Sequence, residues 1–270
     1  MKELTLKEHQ DLCLEILTEV DEFCTKNNIR YSLAHGTLIG AIRHHGFIPW
    51  DDDIDINMPR QDYDRFIRTF TSNSLRCFSF EKDQIYIAFA RVCDMKRTIS
   101  ETKIPWNYVK CGVWIDVFPL DGVEESKLIR KVRLKLLGLL YKIQNVVRKS
   151  LYRIPKRVTF KKKIHHILKI IITSTINIKK LVGWEVFLCK RVEFGKTNLW
   201  GHLSVEAVED KMVNNINDFS ICRKIEFENH KFCIMNGAHN VLKNEYGDYM
   251  QLPPIEKRKP QQCFVKYYWK

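Results

Sequence analysis

The chain has 270 residues, 45% of them hydrophobic and 29% charged, with only 8 prolines; such a chain buries a sizeable core, and extensive disorder is excluded. The net charge of +13 favours anionic partners without choosing among nucleic acid, an acidic membrane surface and a phosphate-rich polymer. Nine cysteines, no two closer than eleven residues, exclude zinc-finger spacing and fit a reducing compartment.

In chain order, Thr5-Leu6-Lys7-Glu8 has the form of a capping box. Cys13, Ile16, Leu17, Val20 and Phe23 then recur at helical spacing, which predicts a helix rather than a cleavable leader. Ile29 to Ala34 reads as a short strand ending at His35-Gly36, and Thr37 to His44 as a short helix. Gly46 to Trp50 reads as a loop. Asp53 to Met58 alternates strictly and predicts a strand; a helix opened by Pro59 follows, to about Phe70. Strands are expected at Arg76–Glu81, Ile85–Val92, Gly112–Phe118 and Lys224–Met235, then a helix at Ala238–Tyr246 stopped by Gly247. The tail from Pro253 reads as polar and irregular. This order predicts an α+β fold, a mixed sheet with flanking helices. Residues 1–123 form its core, 124–195 a basic helical insertion and 196–270 a part that completes the core.

The insertion holds the basicity. Between Lys127 and Val182 there are seventeen Lys and Arg and no Asp or Glu, which leaves the rest of the chain at about −4. Leu128, Val132, Leu136, Leu139, Leu140, Ile143 and Val147 form an apolar stripe at helical spacing, flanked by Lys127, Arg130, Lys131, Lys135, Lys142 and Lys149. Pro155 should interrupt this helix and Lys161-Lys162-Lys163 open another. Two readings fit: helices whose apolar faces complete the core, or a surface attracted to something anionic. The apolar run from Ile167 to Ile178 is broken by Lys169, Thr173, Ser174 and Asn177, too short and too polar to span a bilayer. A cytosolic protein is expected.

The chemistry concentrates in Asp51-Asp52-Asp53-Ile54-Asp55. On a strand, Asp53 and Asp55 project to one face while Ile54 and Ile56 project to the other. Two carboxylates so close repel unless a cation lies between them, and an all-oxygen set suits Mg²⁺ or Mn²⁺. Asp51 and Asp52 fit a surface cluster that caps the next helix. Asp116, on one face with Trp114 and Phe118, needs a partner if buried. The metal site is one candidate and a structural hydrogen bond the other. Asp121-Gly122 reads as a turn. Upstream, Gly36 and Thr37 stand where a strand passes into a helix whose N-terminus suits a phosphate, and Arg43 is placed to grip one.

The stretch YSLAHGTLIGAIRHHGFIPWDDDIDINM, from Tyr31 to Met58, resembles the signature of the LicD family of phosphotransferases. GVWIDVFPLDG (Gly112 to Gly122) and EYGDYMQLPP (Glu245 to Pro254) are similar to its second and C-terminal blocks. The resemblance implies a nucleotidyltransferase-like fold, Mg²⁺, and transfer of a substituted phosphate from a CDP-activated alcohol to a glycan hydroxyl. It implies CDP-choline as donor and a sugar of teichoic acid, lipopolysaccharide or capsule as acceptor, with CDP-ribitol, CDP-glycerol and CDP-ethanolamine as alternatives. By motif position Asp53, Asp55 and Asp116 correspond to the family's acidic site, and Gly36 and Thr37 to its phosphate turn. Gln261-Gln262 stands where relatives often carry histidines. An aromatic cage for choline would draw on Trp50, Trp106, Tyr108 or Trp114. Membrane contact at the inner face follows as an expectation for a lipid-linked acceptor. RNA recognition motifs are absent, so a nucleotidyltransferase acting on RNA or on a small molecule is the rival reading and no nucleic acid is expected. A binding protein with an inert acidic site is the other rival.

Overall fold

The computed structural model describes residues 1–101, 111–152, 175–205, 209–258 and 266–270. Among the described residues seven α-helices run in chain order: α1 (Leu6–Lys26), α2 (His35–His44), α3 (Arg60–Thr69), α4 (Phe80–Asp83), α5 (Lys127–Tyr152), α6 (Ile178–Cys189) and α7 (Ala238–Tyr246). The strands are β1 (Ser32–Leu33), β2 (Asp55–Pro59), β3 (Leu75–Phe78), β4 (Ala90–Asp94), β5 (Thr98–Ser100) and β6 (Trp114–Gly122). They continue with β7 (Leu199–Gly201), β8 (Asn214–Asn215), β9 (Cys222–Phe227), β10 (His230–Met235) and β11 (Tyr267–Trp269). The α+β fold expected from the sequence is the one observed.

A mixed sheet in the order β1-β2-β6-β4-β3 carries the site, with β7 and β8 continuing from the far end of β6. β2 and β6 are parallel, and their register sets Asp55 opposite Asp116; the other pairs are antiparallel. β6 is buried along its whole length, and α1 and α3 pack against it. The capping box at Thr5 and Glu8 forms as read, and Leu12, Cys13, Ile16, Leu17 and Val20 face the core.

The elements depart from the expected pattern at several points. Arg76–Glu81 breaks after Phe78, because the Ser79 hydroxyl accepts from Lys82 N–H and the Asp83 carboxylate accepts from Ser79 N–H, capping the one-turn helix α4. The strand expected over Lys224–Met235 is a hairpin: Glu228 and Asn229 both take positive φ, 48° and 64°, in a two-residue turn. Asp121 and Gly122 end β6 instead of forming a turn. Asp121 accepts from Arg60 Nε at 2.7 Å and Nη2 at 2.6 Å, both side chains buried. Gly122 is required there, since a Cβ would meet the Glu193 carbonyl at 2.4 Å. The tail also departs from the irregular reading, returning as β11 to pair with β5.

The basic helix α5 is clamped to the core by Arg133, buried, which donates to the carbonyls of Gly122, Leu188 and Cys189. A buried Gln144–Glu185 hydrogen bond of 2.7 Å ties α5 to α6. Leu134, Leu137 and Val147 face inward, whereas Leu128, Val132, Leu136 and Leu139 face outward with Lys131, Lys135 and Lys142. Leu128 is 76% exposed and Leu139 54%, so most of the stripe lies on the surface and does not complete the core. Pro155 and the lysine run at 161–163 lie outside the described residues.

Candidate functional site

β2, β6 and the loop before β2 bring five carboxylates together. Asp51, Asp52 and Asp53 each offer an oxygen within 4.8 Å of the others. The sheet register places Asp55 beside Asp116. Asp51 and Asp52 are buried, not a surface cluster as the sequence suggested. Asp51 lies against Gly36, where a Cβ would sit 2.7 Å from its Oδ2. The small residue at position 36 therefore lets this carboxylate approach the start of α2.

Electrostatics follow from the crowding. Burial, reinforced by Asp51, Asp116 and Asp52, pushes the Asp53 carboxyl up to about 8. Burial and the charge of Asp52 push Asp51 up to about 6. Asp55 is also raised, by burial and then by Asp53, Asp116 and Asp51. Mutual repulsion of this kind is what a divalent cation relieves, and oxygen-only donors fit Mg²⁺.

Asp116 is different. Its Oδ1 accepts from Arg91 Nε at 2.6 Å and its Oδ2 from Nη2 at 3.3 Å. Arg91 in turn lies over the rings of Trp114 and Phe89. The partner that a buried Asp116 needed is thus an arginine, and both oxygens are engaged by it. Of the two candidates that the sequence left open for Asp116, the structural hydrogen bond is the one seen, made by Arg91. The same guanidinium covers Trp114 and removes it from a choline cage; Trp106 and Tyr108 lie outside the described residues.

Thr37 is buried, and its hydroxyl accepts from Asp55 N–H at 2.9 Å. It fixes the entry of β2 instead of lining the open cavity. Gly36 and Arg43 do line that cavity, about 730 Å³ in volume, together with Trp50, Asp51 and Tyr246. Lys257 and Arg258 close it from the C-terminal block. Arg258 lies over the Trp50 ring, 5.5 Å from its centre. Arg43 donates to the carbonyls of Tyr249 and Gln251. None of the three cations forms an ion pair among the described residues. Arg43 is held below its ordinary value by burial and by the charge of Arg258. Sequence reading singled out neither Lys257 nor Arg258; basic residues just after the Pro253-Pro254 block were the available signal.

A sequence profile described as the LicD/FKTN/FKRP nucleotidyltransferase domain matches residues 28–171. Over 276 aligned residues, 99% of each chain, the protein is 34% identical to the lipopolysaccharide cholinephosphotransferase LicD of Haemophilus influenzae. An uncharacterised protein of Rickettsia typhi is 33% identical over 94 residues, 34% of this chain and 30% of its own. One from Rickettsia prowazekii is 48% identical over 48 residues, 18% of each.

Proposed function

Because the chain belongs to the LicD family, we propose that it transfers a substituted phosphate, phosphocholine from CDP-choline, onto a hydroxyl of a lipopolysaccharide-type glycan and releases CMP. The observation that carries this reading is the meeting of two opposite charge environments: the carboxylates of Asp51, Asp53, Asp55 and Asp116, and the cavity bearing Arg43, Lys257 and Arg258. The first suits a cation, the second a diphosphate, and Asp51 belongs to both. The Haemophilus relative supports choline phosphate as the group and lipopolysaccharide as the acceptor.

Arg43, Lys257 and Arg258 neutralise the donor's phosphates, while Trp50 and Tyr246 offer apolar walls to its base or head group. Asp51, Asp53 and Asp55 would hold Mg²⁺ (Mn²⁺ has the same oxygen preference), and Asp116 with Arg91 fixes the strand beside them. When bound, the metal supplies charge neutralisation to the transferred phosphoryl group. The acceptor oxygen forms the new P–O bond as the bond to CMP breaks, and the hydroxyl proton passes to a carboxylate of the cluster. A donor screen tests the reading: CMP release from CDP-choline against CDP-ribitol, CDP-glycerol and CDP-ethanolamine, with and without glycan acceptor. Turnover of CDP-choline should depend on Mg²⁺ and rise with acceptor. Release of CMP from none of the four, or nucleotide joined to the product with loss of pyrophosphate, overturns it.

The same reading gives the outward face of α5 a role. No helix among the described residues is long and apolar enough to cross a membrane. Yet α5 offers leucines ringed by lysines, and α6 exposes Trp184 and Phe187. Apolar side chains with a cationic rim suit the interface of an anionic bilayer, where a lipid-linked acceptor resides. The protein then works from the cytoplasm, peripheral on the inner face of the membrane. Sedimentation with phosphatidylglycerol-containing vesicles across a salt series checks this, and no binding at low salt refutes it.

A further inference from the structure

Outside the aspartate cluster, a second group of ligand-type side chains converges from three elements. His35 opens α2, His202 follows β7, and Glu245 stands in the last turn of α7. His202 Nδ1 lies 2.8 Å from Glu245 Oε1, and His35 Nδ1 lies 3.3 Å from Oε2. One nitrogen or oxygen from each residue lies within 4.8 Å of the others. The imidazole centres are 4.7 Å apart, with Phe118 edge-on to one ring and Trp200 to the other. The side chains of His202 and Glu245 are each 3% exposed.

Hydrogen bonding alone explains this cluster poorly. A carboxylate so deeply buried calls for a counter-charge, and no Lys or Arg pairs with Glu245 among the described residues. The contacts to Glu245 run through Nδ1 of each ring. His35 also holds a left-handed backbone, φ 45°, a conformation uncommon for a residue with a Cβ and concentrated where a side chain is held for a purpose.

We propose that His35, His202 and Glu245 form a second divalent-cation site, of the Zn²⁺ class, separate from the oxygen-only aspartate centre. Two imidazole nitrogens and a carboxylate oxygen select Zn²⁺ over Mg²⁺. The 3.3 Å between His35 Nδ1 and Glu245 Oε2 is the spacing of two ligands each ~2.1 Å from a tetrahedral Zn²⁺. His202 Nδ1 reaches the same spacing by moving about half an ångström from the carboxylate. The neighbours give the site its consequence. His35 precedes Gly36 and Glu245 precedes Tyr246, and both following residues line the large cavity. The ion ties the first turn of α2 to the last turn of α7 across that cavity and sets its width. Zn²⁺ binding here does not depend on the phosphotransfer reading.

The test uses tag-free, full-length protein purified without chelator. Elemental analysis should find about one Zn²⁺ per chain, unchanged by Asp55→Ala and lost in Glu245→Gln, which keeps the shape of the carboxylate but is a poor ligand. After chelator treatment, added Zn²⁺ should raise the Tm of the wild type by ~4 °C or more and leave Glu245→Gln unmoved. Co²⁺ in place of Zn²⁺ should give the visible absorption of tetrahedral coordination. The wild type alone decides if the variant fails to fold. Absence of retained Zn²⁺ together with no calorimetric binding at ~100 µM overturns the proposal, as does Zn²⁺ binding that both Glu245→Gln and His202→Asn leave intact.

Discussion

At the β2–β6 seam, carboxylates stand crowded and largely out of water; on the outer face of α5, Leu128, Val132, Leu136 and Leu139 stand in it. The two regions invert ordinary burial in opposite directions, and neither inversion stabilises the chain. Crowded acids repel, and each exposed leucine forgoes about 1.5–3 kcal/mol of burial. The Arg60–Asp121 pair shows the contrast. It is just as buried, on the same strand as Asp116, but its charges answer one another, so it needs no outside partner. On the proposed function, these unbalanced regions are where something else would bind: a cation at the seam, a lipid surface at the helix.

Four experiments bear on that contrast. Asp55→Ala removes a carboxylate from the seam, and CMP release should fall by roughly 10³-fold or more, ~4 kcal/mol of barrier; near-normal turnover with Mg²⁺ would break the assignment. Asp121→Ala leaves the buried Arg60 charge with only the 3.9 Å pairs to Asp64 and Glu81. Urea unfolding should show a loss of about 3–5 kcal/mol, whereas a small change would mean that this pair is no more self-contained than the seam. Leu136→Glu with Leu139→Glu should weaken binding to anionic vesicles about tenfold or more per leucine. Folding stability should stay within ~0.5 kcal/mol, and vesicle binding unaffected by both changes would return the stripe to an idle surface. The smallest effect is on pH. Asp51 and Asp53 are raised in the folded state, so the folded chain holds protons that the unfolded chain releases. Their contribution is present below the ordinary carboxylate range and is lost as pH rises through about 6 and then about 8. Chelator-treated protein should therefore lose stability across that window, and Mg²⁺ should flatten the slope in thermal melts.

Much of the seam was legible because it is local. Asp53-Ile54-Asp55-Ile56 carries its own alternation, and Gly112 to Phe118 its own apolar run. Arg91 was not legible: it reaches Asp116 only through the antiparallel pairing of β4 with β6, and nothing in a list of strand residues points to it. His202 and Glu245 were invisible for the same reason, since their meeting with His35 depends on three elements folding together. The hairpin was missed differently. Glu228-Asn229 is an unusual turn pair, though Asn tolerates positive φ, and the apolar residues on both sides concealed the break. On α5 the period was right, and the sequence left open which way the apolar stripe would face. Arg133 and Gln144 lie inward with their hydrogen bonds satisfied, turning the leucine stripe outward, and hydropathy cannot anticipate a buried arginine that finds three carbonyls.

The register of β2 against β6 has a consequence for biosynthesis. Asp55 and Asp116 are neighbours across a parallel pair although sixty-one residues separate them in the chain, and such pairing forms slowly because the intervening loop must close first. A nascent chain still lacking β6 exposes its acidic loop with no opposing strand, so on the proposed function affinity for the divalent ion waits until residues 114–122 have emerged. Capture of that ion should then lock in the β2–β6 pair rather than nucleate it.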